Sequence, residues 1–150
     1  YAPLGIEAAV TNTATVSGTG ITPVTAAETV NAEAAPNLAI TKSVSPVPVT
    51  ENGTLTYTFR IQNYGSVAAT NTTGVVITDT FAPVLNNLTA ALNGTAWTAA
   101  TDYTYNEATG TFSSTAGAIT VPAATYTQDS TTGAWVVTPG ESTLVITGTV

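Results

Sequence analysis

Residues 55–61 read Leu-Thr-Tyr-Thr-Phe-Arg-Ile, apolar and polar in strict alternation. A period of two buries one face of a β-strand and wets the other; a helix needs a period near 3.6. Val10–Val16, Leu38–Val44 and Val75–Phe81 alternate in the same way, and helical periodicity is absent from the chain. Shorter candidate strands are Leu88–Leu92, Thr111–Ser114, Ala118–Val121, Ala134–Thr138 and Leu144–Val150. Turn signals at Asn93-Gly94, Thr109-Gly110, Thr132-Gly133 and Pro139-Gly140 separate them. Short strands punctuated in this way predict an all-β sandwich. Residues 18–35 are small and polar with Gly and Pro, and read as an extended connector with a short strand at Ile21–Val24. The chain therefore divides into an N-terminal arm, 1–35, and a sandwich body, 36–150.

Composition narrows the function. The 150 residues hold one Lys (Lys42), one Arg (Arg60) and nine acids, with no His, Cys or Met, for a net charge of −7. Zinc, haem and thiol chemistry lack ligands, so no metal and no cofactor is expected. Ser–His–Asp and Cys–His catalysis lack a base or a nucleophile. Two cations cannot track a phosphate backbone, which argues against nucleic acid as a partner. No apolar run approaches the length of a membrane helix. Thr in place of Lys and Glu as the main polar residue suits strands and is common in secreted surface proteins. A start at Tyr1 reads as a processed product or a fragment. Asn-X-Thr sequons make Asn52, Asn71, Asn87 and Asn93 candidate glycosylation sites.

Three polar residues stand in the apolar phase of their strands. Lys42 shares a face with Leu38, Ile40 and Val44; Asp79 with Val75, Ile77 and Phe81; Asn12 with Val10, Ala14 and Val16. Arg60 falls in the outward phase. Groups buried in this way pair, neutralise or react. An amine desolvated among apolar neighbours gives up its proton more readily and becomes nucleophilic. A carboxylic acid beside a carboxamide can polarise it as a general acid. Lys42 attack on Asn12, assisted by Asp79, would release ammonia and leave an isopeptide bond. The plainer alternatives are a Lys42–Asp79 ion pair with an Asn nearby, or a misassigned strand phase.

Three segments carry a resemblance: Asn37-Leu-Ala-Ile-Thr-Lys42, Gly53 to Gly65 with Tyr57 and Asn63, and Val76-Ile-Thr-Asp79-Thr80-Phe-Ala-Pro83. Together they resemble the start of a bacterial and archaeal surface-protein repeat, an immunoglobulin-like domain catalogued as of unknown function. That repeat ends in a strand like Asn12-Thr-Ala-Thr-Val16, which here lies at the start of the chain. The resemblance thus implies an immunoglobulin-like β-sandwich lacking its last strand, with an N-terminal donor-strand arm (strand about 8–17). The repeat is also similar to the Cna-type domains of Gram-positive pilins, which carry Lys–Asn isopeptide bonds. Carried over, Lys42 is the amine, Asn12 the amide and Asp79 the assisting acid. Glu33, Glu51 or Asp102 are alternative acids, and Asn63 is a competing amide.

The expected function is a structural one, without enzymatic turnover: an extracellular cell-surface filament of identical subunits joined head to tail. Each arm would complete the next sandwich through Val10, Ala14 and Val16. The rival expectations are a modular spacer of a larger surface protein, or an adhesin using Trp97, Tyr103, Tyr105, Tyr126 or Trp135 as stacking faces. Asp102, Glu107, Asp129 and Glu141 read as solubilising surface.

Overall fold

In a computed structural model of the chain, residues 8–32 and 34–150 are described, and the account that follows is of these residues. Glu33 lies outside them. The fold is all-β, with twelve strands in antiparallel sheets and one short 3-10 turn at Asn71–Thr73. The strands are β1 (Ala8–Gly18), β2 (Ile21–Ala32), β3 (Leu38–Ser45), β4 (Thr54–Asn63), β5 (Thr78–Thr80) and β6 (Asn86–Leu92). They continue as β7 (Thr95–Ala96), β8 (Tyr103–Asn106), β9 (Thr111–Ser114), β10 (Thr125–Gln128), β11 (Trp135–Thr138) and β12 (Gly140–Thr149).

A five-stranded sheet runs β3-β4-β12-β6-β7, and a three-stranded sheet runs β5-β9-β8. Their inner faces share one core, the arrangement of a β-sandwich. The alternation of β4 buries Leu55, Tyr57, Phe59 and Ile61 and leaves Arg60 in solvent. Leu144 and Ile146 of β12 lie beside them, fully buried. Phe81 packs at 4.7 Å on Tyr57 and at 6.1 Å on Phe112, tying the two sheets together.

Beyond the sandwich, β10 and β11 form one hairpin and β1 and β2 another. The second differs from the connector expected at residues 18–35. Residues 21–32 form a strand that pairs with β1 along its length. Thr19-Gly20 makes the turn, with Gly20 at φ 77, where only glycine is unstrained. A bulge sets Thr22 and Pro23 against Ser17, so the proline's missing N–H costs the ladder nothing. Residues 75–77 and 118–121, expected as strand, are irregular, with an isolated bridge joining Ala69 to Val121.

Asn63 locks the body. It is fully buried at the end of β4. Its Oδ1 accepts from the backbone N–H of Asn37 and of Gly65, both at 2.9 Å. Its Nδ2 donates to the carbonyls of Val67 at 2.7 Å and Pro122 at 3.0 Å. A Cβ on Gly65 would run into the carbonyl of Ala35, which explains why glycine stands two residues after the amide. Truncating Asn63 orphans buried groups on both sides. Asn63→Ala should cost at least about 3 kcal/mol, read by urea unfolding. A loss under about 1 kcal/mol would mean that water replaces the amide.

Outside the core, Glu141 accepts from Arg60 and from Gln62, the latter at 2.9 Å. The Arg60 bond, first, holds its carboxyl below the ordinary value. A lowered folded value means that this stabilisation is present above the unfolded carboxyl's range and is lost as pH falls through the lowered value. Glu141→Gln should therefore lose this small stabilisation near neutrality and flatten the acid limb of thermal unfolding below about pH 4.5. An unchanged acid limb would show that solvent already screens the pair.

Candidate functional site

The site begins at the free edge of the larger sheet. β3 pairs with β4 alone, Lys42 opposite Phe59 and Ile40 opposite Ile61. This puts Leu38, Ile40, Lys42 and Val44 on the core side, in the phase read from the sequence. The core stops short of them: Leu38, Ile40 and Val44 are 37%, 52% and 38% exposed. Next to them Val76 is 46% exposed, and Ile77 turns inward. An apolar groove of about 180 Å³ lies between Leu38, Ile40 and Ile61 on one side and Val75–Ile77 on the other.

Lys42 crosses from one sheet to the other beside this groove. Its ammonium forms an ion pair with Oδ2 of Asp79 on β5. It also stands over three aromatic rings, at 4.8 Å from Tyr57, 5.3 Å from Phe81 and 5.6 Å from Phe59. Ring faces at these distances attract a cation. Asp79 is held by its own strand, its Oδ1 accepting from the Thr80 N–H at 2.9 Å. Oδ2 is buried and meets no hydrogen bond of ordinary geometry; the Lys42 ammonium is its ion-pair partner. The Lys42 side chain is 41% exposed and that of Asp79 19%. Lys42 is thus on the core face with an acid at contact, at a spot where the core has no lid.

Asn12 lies apart from that pair, on the β1–β2 hairpin. The register sets Val10 opposite Val30, Asn12 opposite Glu28, Ala14 opposite Ala26 and Val16 opposite Val24. Directly opposed residues share a face. One face of the hairpin is therefore valine and alanine with a central Asn12–Glu28 pair. The other is mostly threonine, with the Thr11 and Thr29 hydroxyls 2.9 Å apart. The apolar face is uncovered: Val10, Val16, Val24 and Val30 are 42%, 66%, 65% and 69% exposed. β1 and β2 pack on each other, and no strand of the body packs broadly against them. Glu28 escaped the sequence reading, although its phase with Val24, Ala26 and Val30 signals a strand.

The other expected residues fall elsewhere. Asn63 spends its whole carboxamide on backbone, and four residues separate it along β4 from the partner of Lys42, about 13 Å. Asp102 accepts from the Thr98 N–H at 2.7 Å, and Glu51 sits in an exposed turn. Tyr103 is core and stacks at 5.4 Å on Phe112, while Tyr105 bonds the backbone of Leu85 through its hydroxyl. Trp97 packs on the core, and the Tyr126 hydroxyl donates to the Tyr64 carbonyl. Trp135 is half-buried on β11. Asn52, Asn71, Asn87 and Asn93 are all exposed, but Asn93 bonds Ser142 and Thr143 through its carboxamide. Asp129 caps its own turn, and the N–H groups of Thr132 and Thr131 lower its carboxyl. Among the described residues no group of three acids could hold a metal ion. No helix is long and apolar enough to cross a membrane.

Comparison with protein-family models, with curated proteins and with solved structures finds no match. The chemistry of this site therefore rests on its own geometry. A partly hydrated ion pair contributes at most about 1 kcal/mol. Asp79→Asn keeps the Thr80 bond and should shift urea unfolding of the monomer by no more than that. A loss of several kcal/mol would instead make the pair a structural element of the core.

Proposed function

We propose that this chain is a structural subunit of an extracellular cell-surface filament, assembled head to tail from identical copies. Its body is read as an immunoglobulin-like sandwich short of an edge strand, and its arm as the donor that supplies one. The observation that carries this reading is the pairing of two unsatisfied surfaces in one chain. β3 leaves an apolar groove and a lysine uncovered, and β1 leaves Val10, Ala14 and Val16 uncovered around Asn12. With Asn12 set beside Lys42, either strand direction puts Val10 and Ala14 beside Ile40 and Val44. Free strand edges invite such pairing. Because donor and acceptor surfaces differ, the contact is heterologous, and it propagates as a fibre where its rotation does not close a ring. The threonine-rich composition supports a secreted protein.

The lysine adds a covalent lock. Docking covers Lys42 and brings the Asn12 carboxamide to it. The Lys42 Nζ–Asn12 Cγ bond forms and the Cγ–Nδ2 bond breaks. An ammonium side chain and a carboxamide become a secondary amide and an ammonium ion. Asp79, already at contact with Nζ, relays the proton to the leaving nitrogen, so no oxidant or co-reactant is needed. Holding the two groups together in a dry seam supplies the rate. A direct fold-back within one chain works against this bond. Only residues 33–37 join β2 to β3, and that short link would seat β2 beside β3. Asn12 would then lie two strand spacings, about 10 Å, from Lys42.

The second reading is a spacer or adhesin domain of a larger surface protein. The intramolecular Lys42–Asp79 pair favours it, since Lys42 then needs no further partner. So does an open cavity of about 750 Å³ beside β8, lined in part by Tyr103 and Tyr105. Boiling native material in SDS and measuring intact masses separates the two. A ladder of multimers, each junction lighter by one ammonia and yielding a Lys42–Asn12 peptide, is expected. Lys42→Arg or Asn12→Ala should abolish the ladder, and Asp79→Asn should slow its growth about 10²-fold or more. Monomer at full mass rules the lock out. Monomer lighter by one ammonia or one water points to the single-domain reading.

A further inference from the structure

We infer that the arm enters its acceptor as the intact β1–β2 hairpin, both strands together, and that the occupant of the β3 groove is this hairpin from a second copy. The inference rests on the filament reading and specifies the unit that docks. A single donor strand would need only β1 to be amphipathic. The structure builds the apolar face from both strands, in three cross-strand pairs: Val10 with Val30, Ala14 with Ala26 and Val16 with Val24. Val24 and Val30, on β2, are as exposed as Val16 on β1. Peeling β2 away would break the ladder from Ala8–Ala32 to Val16–Val24 and leave those two valines in water. Docking the hairpin whole keeps the ladder and brings both sets to the acceptor as one face.

The polar residues agree with this unit. The one interruption in the hairpin's apolar face is the Asn12–Glu28 pair, with Cβ atoms about 4.5–5.5 Å apart in such a register. The one interruption on the core side of β3 is Lys42. Setting one interruption on the other puts the Glu28 carboxylate, one strand beyond Asn12, on the same face as the lysine and sets valines beside Ile40 and Val44. If β1 entered alone, Glu28 would stay outside. The second copy is the occupant because the groove and the face that matches it belong to the same sequence, in the proportion of one to one. Within one molecule they stay apart.

A disulfide across the threonine face tests this without touching the apolar one. Thr11 and Thr29 are directly opposed, with hydroxyls 2.9 Å apart, and directly opposed Cα atoms lie within disulfide reach. The natural chain has no cysteine, so Thr11→Cys with Thr29→Cys forms a single defined bridge. The bridge is placed in a donor-only chain that carries Lys42→Met. This is mixed with an acceptor-only chain that carries Asn12→Ala, and the SDS-stable one-to-one adduct is followed over time. The expected result is an oxidised donor that reacts as fast as the same donor reduced. Val30→Asp in the donor, on β2, should weaken docking about 10- to 100-fold, as should Val10→Asp on β1. An oxidised donor that stays inert while its reduced form reacts would overturn the inference and leave the filament reading standing. So would a Val30→Asp donor with undiminished docking. If the unbridged donor and acceptor neither bind nor react, the filament reading falls and this inference with it.

Discussion

β3 has one neighbour. That single fact sets the character of the molecule, because a strand paired on one side only turns a core-facing row of side chains toward a core that is not there. On β4, one strand in, the same alternation yields Leu55, Tyr57, Phe59 and Ile61, all buried. On β3 it yields Leu38, Ile40, Lys42 and Val44, all open to water. The chain does not blunt this edge in the usual ways, with prolines or clustered charges within the strand. It carries one charge there, and that charge points inward toward Asp79 and three aromatic rings.

The body holds its shape despite the open flank because its anchors lie elsewhere. Phe81 and Phe112 bind the smaller sheet to the larger, and Asn63 fastens the entry to β3 to the turn after β4 and to the segment at Pro122. The edge strand is thus fixed at its start by an amide and along its length by one ladder. Its outer side stays free. The division suits a module whose core is preformed and whose last contacts come from outside.

Much of this was legible in the sequence where alternation was long and apolar. β4 shows its buried face plainly in Leu-Thr-Tyr-Thr-Phe-Arg-Ile, and the inward phases of Lys42 and Asp79 meet in the structure as an ion pair. The weak spot was residues 18–35. Ala26, Ala27 and Glu28 dilute the valines of β2, and Pro23 reads as a breaker until the bulge gives it a place without an N–H to satisfy. With β2 hidden, Glu28 was hidden too. Short strands such as β8 and β10 failed for a different reason, since four residues carry too little periodicity to separate them from turns. How far Lys42 would be covered could not be read from phase at all. Phase says which way a side chain points, and burial depends on whether another element arrives to cover it.

The scarcity of cations has a consequence for durability. Proteases that cut after Lys or Arg have two bonds to attack in the whole chain, following Lys42 and Arg60. Both lie in the ladder between β3 and β4, where Thr41 faces Arg60 and Lys42 faces Phe59. A protease must draw several residues into an extended, unpaired form in its own cleft before it can cut. Here that means tearing the edge of the larger sheet open. A chain of this composition, exposed to a digestive surrounding, offers that class of enzyme almost nothing to hold.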